Sequence, residues 1–127
     1  MLFKWMLLAA CFGDGQGLTY EEAYAKAESE NKPLVVLVCA TWCAPCQVMR
    51  KELSVMQAEG ELKDVVICVV DKDEHPELAS KLMKGDKIPQ LAVFNRHPVT
   101  KAWSKAVAVG RQSRAIVCDL VRRVSGR

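Results

Sequence analysis

Charge of one sign, histidine and long apolar runs are all in short supply in this chain. Eighteen Lys and Arg stand against fifteen Asp and Glu, a net charge of +3 with the basic residues scattered. A nucleic-acid surface needs a clustered basic footprint, so that class of partner is excluded. No apolar stretch approaches the roughly 20 residues of a membrane-spanning helix. The two histidines, His75 and His97, stand apart near turn residues. A structural zinc site draws on about four ligands, usually as two close pairs, and there is a single Cys-x2-Cys here, so no metal site is expected. Six cysteines in 127 residues are too few for a disulfide scaffold. No internal repeat and no second domain is visible.

Half of the residues are hydrophobic and 26% are charged, the balance of one globular domain with a real core. Residues 1–18 read differently from the rest: one Lys, an apolar stretch, then Gly-rich polar sequence. This is an N-terminal tail or a short signal segment. Leu8-Ala9-Ala10-Cys11 resembles a lipobox, which places a diacylglyceryl group on its cysteine, so Cys11 is the candidate lipidation site. With that signal the protein lies on the periplasmic side of a bacterial envelope, with any membrane attachment through its N-terminal segment. Without it the protein is cytoplasmic. Residues 19–127 form the domain.

Within the domain, Thr19 and Glu22 have the spacing of a capping box, which predicts a helix that Asn31 and Pro33 end. Leu34 to Ala40 is continuously apolar and β-branched, the pattern of a strand buried on both faces. A helix follows to Gly60, with Met49, Leu53 and Met56 inward. Val65 to Val70 is a second buried strand. Pro76 opens a short helix, with Leu78 and Leu82 on one face. Gln90 to Phe94 is a third strand, Asn95 to Pro98 a turn, and Lys101 to Val109 its hairpin partner, with Gly110 as the break. A last helix carries Ile116, Leu120 and Val124 inward. The order is α-β-α-β-α-β-β-α, with the first two strands parallel across a crossover helix and the last two antiparallel.

Cys43-Ala44-Pro45-Cys46 lies where a buried strand ends and a helix begins. The first turn of a helix presents unpaired N–H groups and a partial positive charge. A thiolate there is stabilised, so a thiol ionises near neutral pH instead of near about 8.5. Pro45 suits the opening turn, having no N–H to satisfy. Taken with Cys39, the spacing also matches a radical-SAM iron–sulfur site, but Cys39 falls inside the strand and its thiol does not converge with the other two. A structural disulfide is the plain alternative. The strand before, the helix after and Trp42 just ahead favour a redox pair, with the sulfur of Cys43 at an exposed helix tip and Cys46 shielded beneath it. Cys39, Cys68 and Cys118 fall in apolar stripes and read as core.

The segment Thr41 to Cys46, TWCAPC, resembles the active site of the thioredoxin family. Lys87 to Phe94, KIPQLAVF, resembles the family's cis-proline segment, and Gly110 after Ala106 to Val109 resembles the glycine near its active-site surface. The resemblance runs from about Thr19 to Val124. It implies an α/β thioredoxin-like fold, a mixed four-stranded sheet flanked by helices. It also implies a cis Ile88–Pro89 bond, catalysis by the pair Cys43 and Cys46 as a redox-active disulfide, and a docking surface of Trp42, Ala44, Pro45, Ile88, Pro89 and Gly110. No cofactor is implied. The implied partners are disulfide-containing protein substrates and an upstream thiol reductase or other electron donor, with the chain a monomer. The implied activity is protein-disulfide reduction. Oxidation or isomerisation of exported proteins, or a non-catalytic binding role, are the alternatives on the same fold.

The chain also departs from the family. Members commonly bury an acid six residues before the first active cysteine, near a lysine on the next strand. Leu37 occupies the first position and Ile67 is read at the second, so both charges are lost together, which avoids a buried unpaired charge. Gln90 follows the proline where reductases often carry Thr.

Overall fold

The computed structural model describes residues 18–126; residues 1–17, including the candidate lipidation site Cys11, lie outside the described residues. Helix α1 (Tyr20–Glu30) opens on a complete capping box. Thr19 Oγ1 accepts from the Glu22 N–H at 3.1 Å, and Glu22 Oε1 accepts from the Thr19 N–H at 3.0 Å. Asn31, in the left-handed region at φ 57°, closes the helix ahead of Pro33. Strand β1 (Leu34–Cys39) leads into helix α2 (Ala44–Ala58), then come strand β2 (Val66–Asp71), helix α3 (Pro76–Leu82), the hairpin of β3 (Gln90–Arg96) and β4 (Trp103–Val109), and helix α4 (Arg114–Ser125).

The strands form one mixed sheet in the order β2-β1-β3-β4. β1 and β2 run parallel, and β3 is antiparallel to both β1 and β4. Every residue of β1 is buried because both faces of the sheet are covered. On one face Val35, Leu37 and Cys39 pack with Ile67 and Leu91 beneath Met49, Leu53 and Met56 of α2 and Val117 and Leu120 of α4. On the other, Leu34, Val36 and Val38 pack with Cys68 and Ala92 against Ala23 and Ala27 of α1 and Ala79 and Leu82 of α3. That two-sided burial is why β1 and β2 read as unbroken apolar runs rather than alternating ones.

Four details differ from the sequence expectations. Ile116 is 47% exposed, and Val117 takes its place in the core. Strand β3 continues to Arg96, and the turn is displaced to residues 97–102, where His97 Nδ1 accepts from the N–H groups of Val99 and Thr100, both at 3.2 Å. Strand β4 begins at Trp103, whose ring stacks on Tyr24 at 4.9 Å between centroids. The neighbour of Leu37 on β2 is Val69; Ile67 lies beside Val35. Among the described residues no helix is long and apolar enough to cross a membrane.

Burial of the free thiols sets an alkaline limit on stability. Burial, with the nearby Glu21 adding to it, pushes the Cys68 thiol from 9.0 up to about 12. Between those values the unfolded chain has shed this proton while the folded chain still holds it, so the stabilisation is complete below the unfolded value and is lost as pH climbs toward the folded one. The expected result is a urea midpoint that falls between about pH 8 and pH 10.5, and falls less steeply in Cys68→Ala. Equal slopes in the two proteins would contradict this account.

Candidate functional site

The site is assembled at the C-terminal end of β1. After Cys39 the chain turns through residues 40–42, with the Cys43 N–H donating to the Ala40 carbonyl at 3.2 Å. Cys43 then becomes the N-cap of α2: its backbone is extended and its Sγ accepts from the Cys46 N–H at 3.3 Å. Its sulfur therefore takes the place usually held by a Ser, Asp or Asn oxygen at a helix start, in the positive field of the first turn. No acidic residue lies in that turn to weaken the field. Ala44 and Pro45 form the exposed opening of the helix. Cys46, one turn in from the cap, is joined to Cys43 by a disulfide with the two Cα atoms 5.2 Å apart. Cys46 is 0% exposed and Cys43 5%. Cys43 is thus the outer sulfur, but it is more covered than the exposed tip read from the sequence.

Ile88, Pro89 and Gly110 come to the same end of the sheet. The register places Gln90 beside Val38 on one side and Val109 on the other, which carries Pro89 and Gly110 to the level of the Cys39 end of β1. The Gly110 N–H donates to the Pro89 carbonyl at 2.8 Å. Gly110 has φ 91°, and an added Cβ would meet nothing within 4 Å, so its requirement is backbone conformation and not space. The Ile88–Pro89 peptide bond is cis. Ile88 is half-buried against the cluster that contains both Cys43 and Cys46. Trp42 stays 66% exposed, and its indole N–H donates to Asp73 Oδ2 at 2.7 Å, tying the loop before the cysteines to the loop after β2.

Polar chemistry under the pair is sparse. Gln90 is the single buried polar or charged residue among the described residues, so no buried carboxylate lies beneath the cysteines. Leu37, Val69 and Leu91 fill that space. The remaining thiols are poor nucleophiles at neutral pH. Burial raises Cys39, with Asp71 adding to the shift and Arg50 opposing it. Burial and then Glu61 raise Cys118, which is half-buried. Among the described residues no group of His, Cys, Asp and Glu is placed to hold a metal ion.

The thioredoxin family model matches residues 16–117. The chain belongs to the thioredoxin family. Among curated thioredoxins it is 33% identical over 79 residues to thioredoxin Y2, chloroplastic, of Arabidopsis thaliana, a match covering 61% of this chain and 44% of that protein. It is 35% identical over 66 residues to thioredoxin of Mycobacterium tuberculosis, covering 52% of this chain and 55% of that one. The matched segments thus span about half the length of these relatives. In fold it superposes on the thioredoxin of Trichomonas vaginalis with a TM-score of 0.67 at 23% identity, covering 85% of this chain and 96% of the other. Against this thioredoxin frame, two residues of the site escaped the sequence reading. Asp73 lies 31 residues from the Trp42 it holds, too far for any local pattern. Gln90 was visible only as an unusual neighbour of the proline, with no role attached.

Proposed function

We propose that the chain is a thiol–disulfide oxidoreductase that reduces protein disulfides through Cys43 and Cys46. The observation that carries this reading is the capping sulfur: Cys43 Sγ accepts the Cys46 N–H at the start of α2 and is bonded to Cys46. The N–H group and the helix field favour a thiolate at Cys43 once the pair is reduced. That thiolate attacks one sulfur of a substrate disulfide, forming a mixed disulfide and expelling the other substrate sulfur as a thiolate. Cys46, after losing its proton, attacks the Cys43 sulfur. The second substrate sulfur leaves, and the Cys43–Cys46 disulfide holds the two oxidising equivalents. An upstream thiol donor returns the pair to the dithiol.

Trp42, Ala44, Pro45, Ile88, Pro89 and Gly110 form the docking surface around that sulfur. Its shallow, part-apolar character suits an extended polypeptide, whose backbone can pair beside Ile88. An oxidase keeps the same atoms and runs them the other way, and an isomerase starts from the same Cys43 attack but ends with no net electron transfer. The midpoint potential decides between them, since thioredoxin-fold pairs span roughly −270 to −120 mV. The expected result is catalysis of insulin reduction by dithiothreitol together with a potential near the −270 mV end of about that range. A potential near about −120 mV would move the assignment to an oxidant. No catalysis of insulin reduction would favour a binding role.

A further inference from the structure

Gln90 is 1% exposed, and its side-chain amide makes three hydrogen bonds. Its Oε1 accepts from the Lys84 N–H at 2.8 Å, and its Nε2 donates to the carbonyls of Lys84 at 2.7 Å and Lys87 at 2.8 Å. Both N–H groups of the amide and one oxygen lone pair are thereby used. All three bonds go to the backbone of the irregular segment between α3 and β3, which runs directly into Ile88 and Pro89. The same side chain belongs to a residue whose own backbone sits between Val38 of β1 and Val109 of β4. Gln90 therefore connects the rigid centre of the sheet to a segment with no regular structure of its own. That segment also supplies Met83, Gly85 and Asp86 to a cleft of about 390 Å³, whose other wall includes Lys72, Pro76 and Ser80.

We infer that Gln90 is a positioning residue for polypeptide substrates: its amide fixes residues 84–87, and so holds the Ile88 backbone where an extended chain docks beside Cys43. This rests on the disulfide-exchange reading and adds to it the element that separates polypeptide from small disulfides. A small disulfide needs access to the Cys43 sulfur alone. A polypeptide needs the docking segment in place as well. An apolar residue at this position would leave two carbonyls and an N–H of the segment without these partners and free to move.

The test uses the full-length protein with two substrates: insulin, turned over with dithiothreitol as reductant, and Ellman's reagent, which offers a disulfide without a polypeptide backbone and is mixed with pre-reduced protein in a single turnover. Gln90→Met keeps the side-chain volume and removes all three bonds. The expected result is a roughly tenfold rise in KM for insulin, with kcat and the rate toward Ellman's reagent within about twofold of wild type. Gln90→Asn retains an amide but shortens its reach by one methylene, and it is measured in the same way should the methionine variant not fold. An equal loss on both substrates, or no change on either, overturns the inference. Wild-type protein inactive on insulin overturns the reductase reading itself, and this inference with it.

Discussion

Cys43→Ser is expected to bring insulin reduction down to the rate of dithiothreitol alone. The nucleophile in disulfide exchange is the thiolate, and a serine hydroxyl does not ionise at neutral pH to replace it. The loss is not structural. Serine is among the preferred N-cap residues, so α2 keeps a side-chain acceptor for the Cys46 N–H that Cys43 Sγ now accepts at 3.3 Å. Cys46→Ser should behave differently: attack on substrate survives, release does not, and the mixed disulfide with substrate accumulates as a covalent species on a non-reducing gel. The same asymmetry should appear without any mutation. Limiting iodoacetamide on the reduced protein should label Cys43 first, because Cys46 is 0% exposed and burial raises the thiols of Cys39, Cys68 and Cys118. Label appearing first on Cys46, Cys39 or Cys118, or full activity in Cys43→Ser, would refute the assignment.

The parts of this molecule that a local pattern controls were legible in its sequence. The capping box at Thr19 and Glu22 satisfies its own donors, and the unbroken apolar run of β1 follows from helices on both faces of the sheet. The strand-to-helix junction placed Cys43 at a helix start without any knowledge of what packs around it. What was misread depends on long-range contacts. In α4 the apolar set includes both Ile116 and Val117, and which of them turns inward is settled by the approach of the helix to the sheet, not by the pattern itself. The pairing of Leu37 with Val69 is a register between two nearly uniform apolar strands, and nothing in either strand marks the partner. His97 is an exposed turn residue, as its sequence context indicates, and it also accepts two local N–H groups on one ring nitrogen. Asp73 acts on Trp42 across a gap of 31 residues that no spacing rule covers, whereas Gln90 bonds to the nearby Lys84 and Lys87 backbone, an arrangement that no periodic pattern marks.

Leu37→Asp should destabilise the fold and at the same time speed the second chemical step. Leu37 is 0% exposed and shares its cluster with both cysteines. Its neighbours in register, Val69 and Leu91, offer no positive charge. The substitution removes a buried aliphatic side chain and inserts a carboxyl with no partner, a loss of roughly 3–5 kcal/mol. Burial favours the neutral acid, so the folded-state pKa of the new carboxyl lies above its unfolded value of about 3.9. The folded variant then holds a proton that the unfolded chain has released. Its stability is greatest below the unfolded value and falls as pH rises through the folded one. A carboxylate in that place can also take the Cys46 proton as Cys46 attacks the mixed disulfide. The wild-type protein has no buried carboxylate there among the described residues, and Cys46 must give its proton to water or to the substrate. Release of substrate should therefore be slow near neutral pH in the wild type and rise with hydroxide. In Leu37→Asp it should be faster near neutral pH by roughly tenfold, a modest share of what a positioned base supplies, and depend less on pH. Single-turnover quenched reduction across pH measures both. A wild-type second step that is independent of pH near neutrality would reveal an internal proton acceptor. A folded Leu37→Asp with the wild-type pH profile would show that this position does not reach the Cys46 proton.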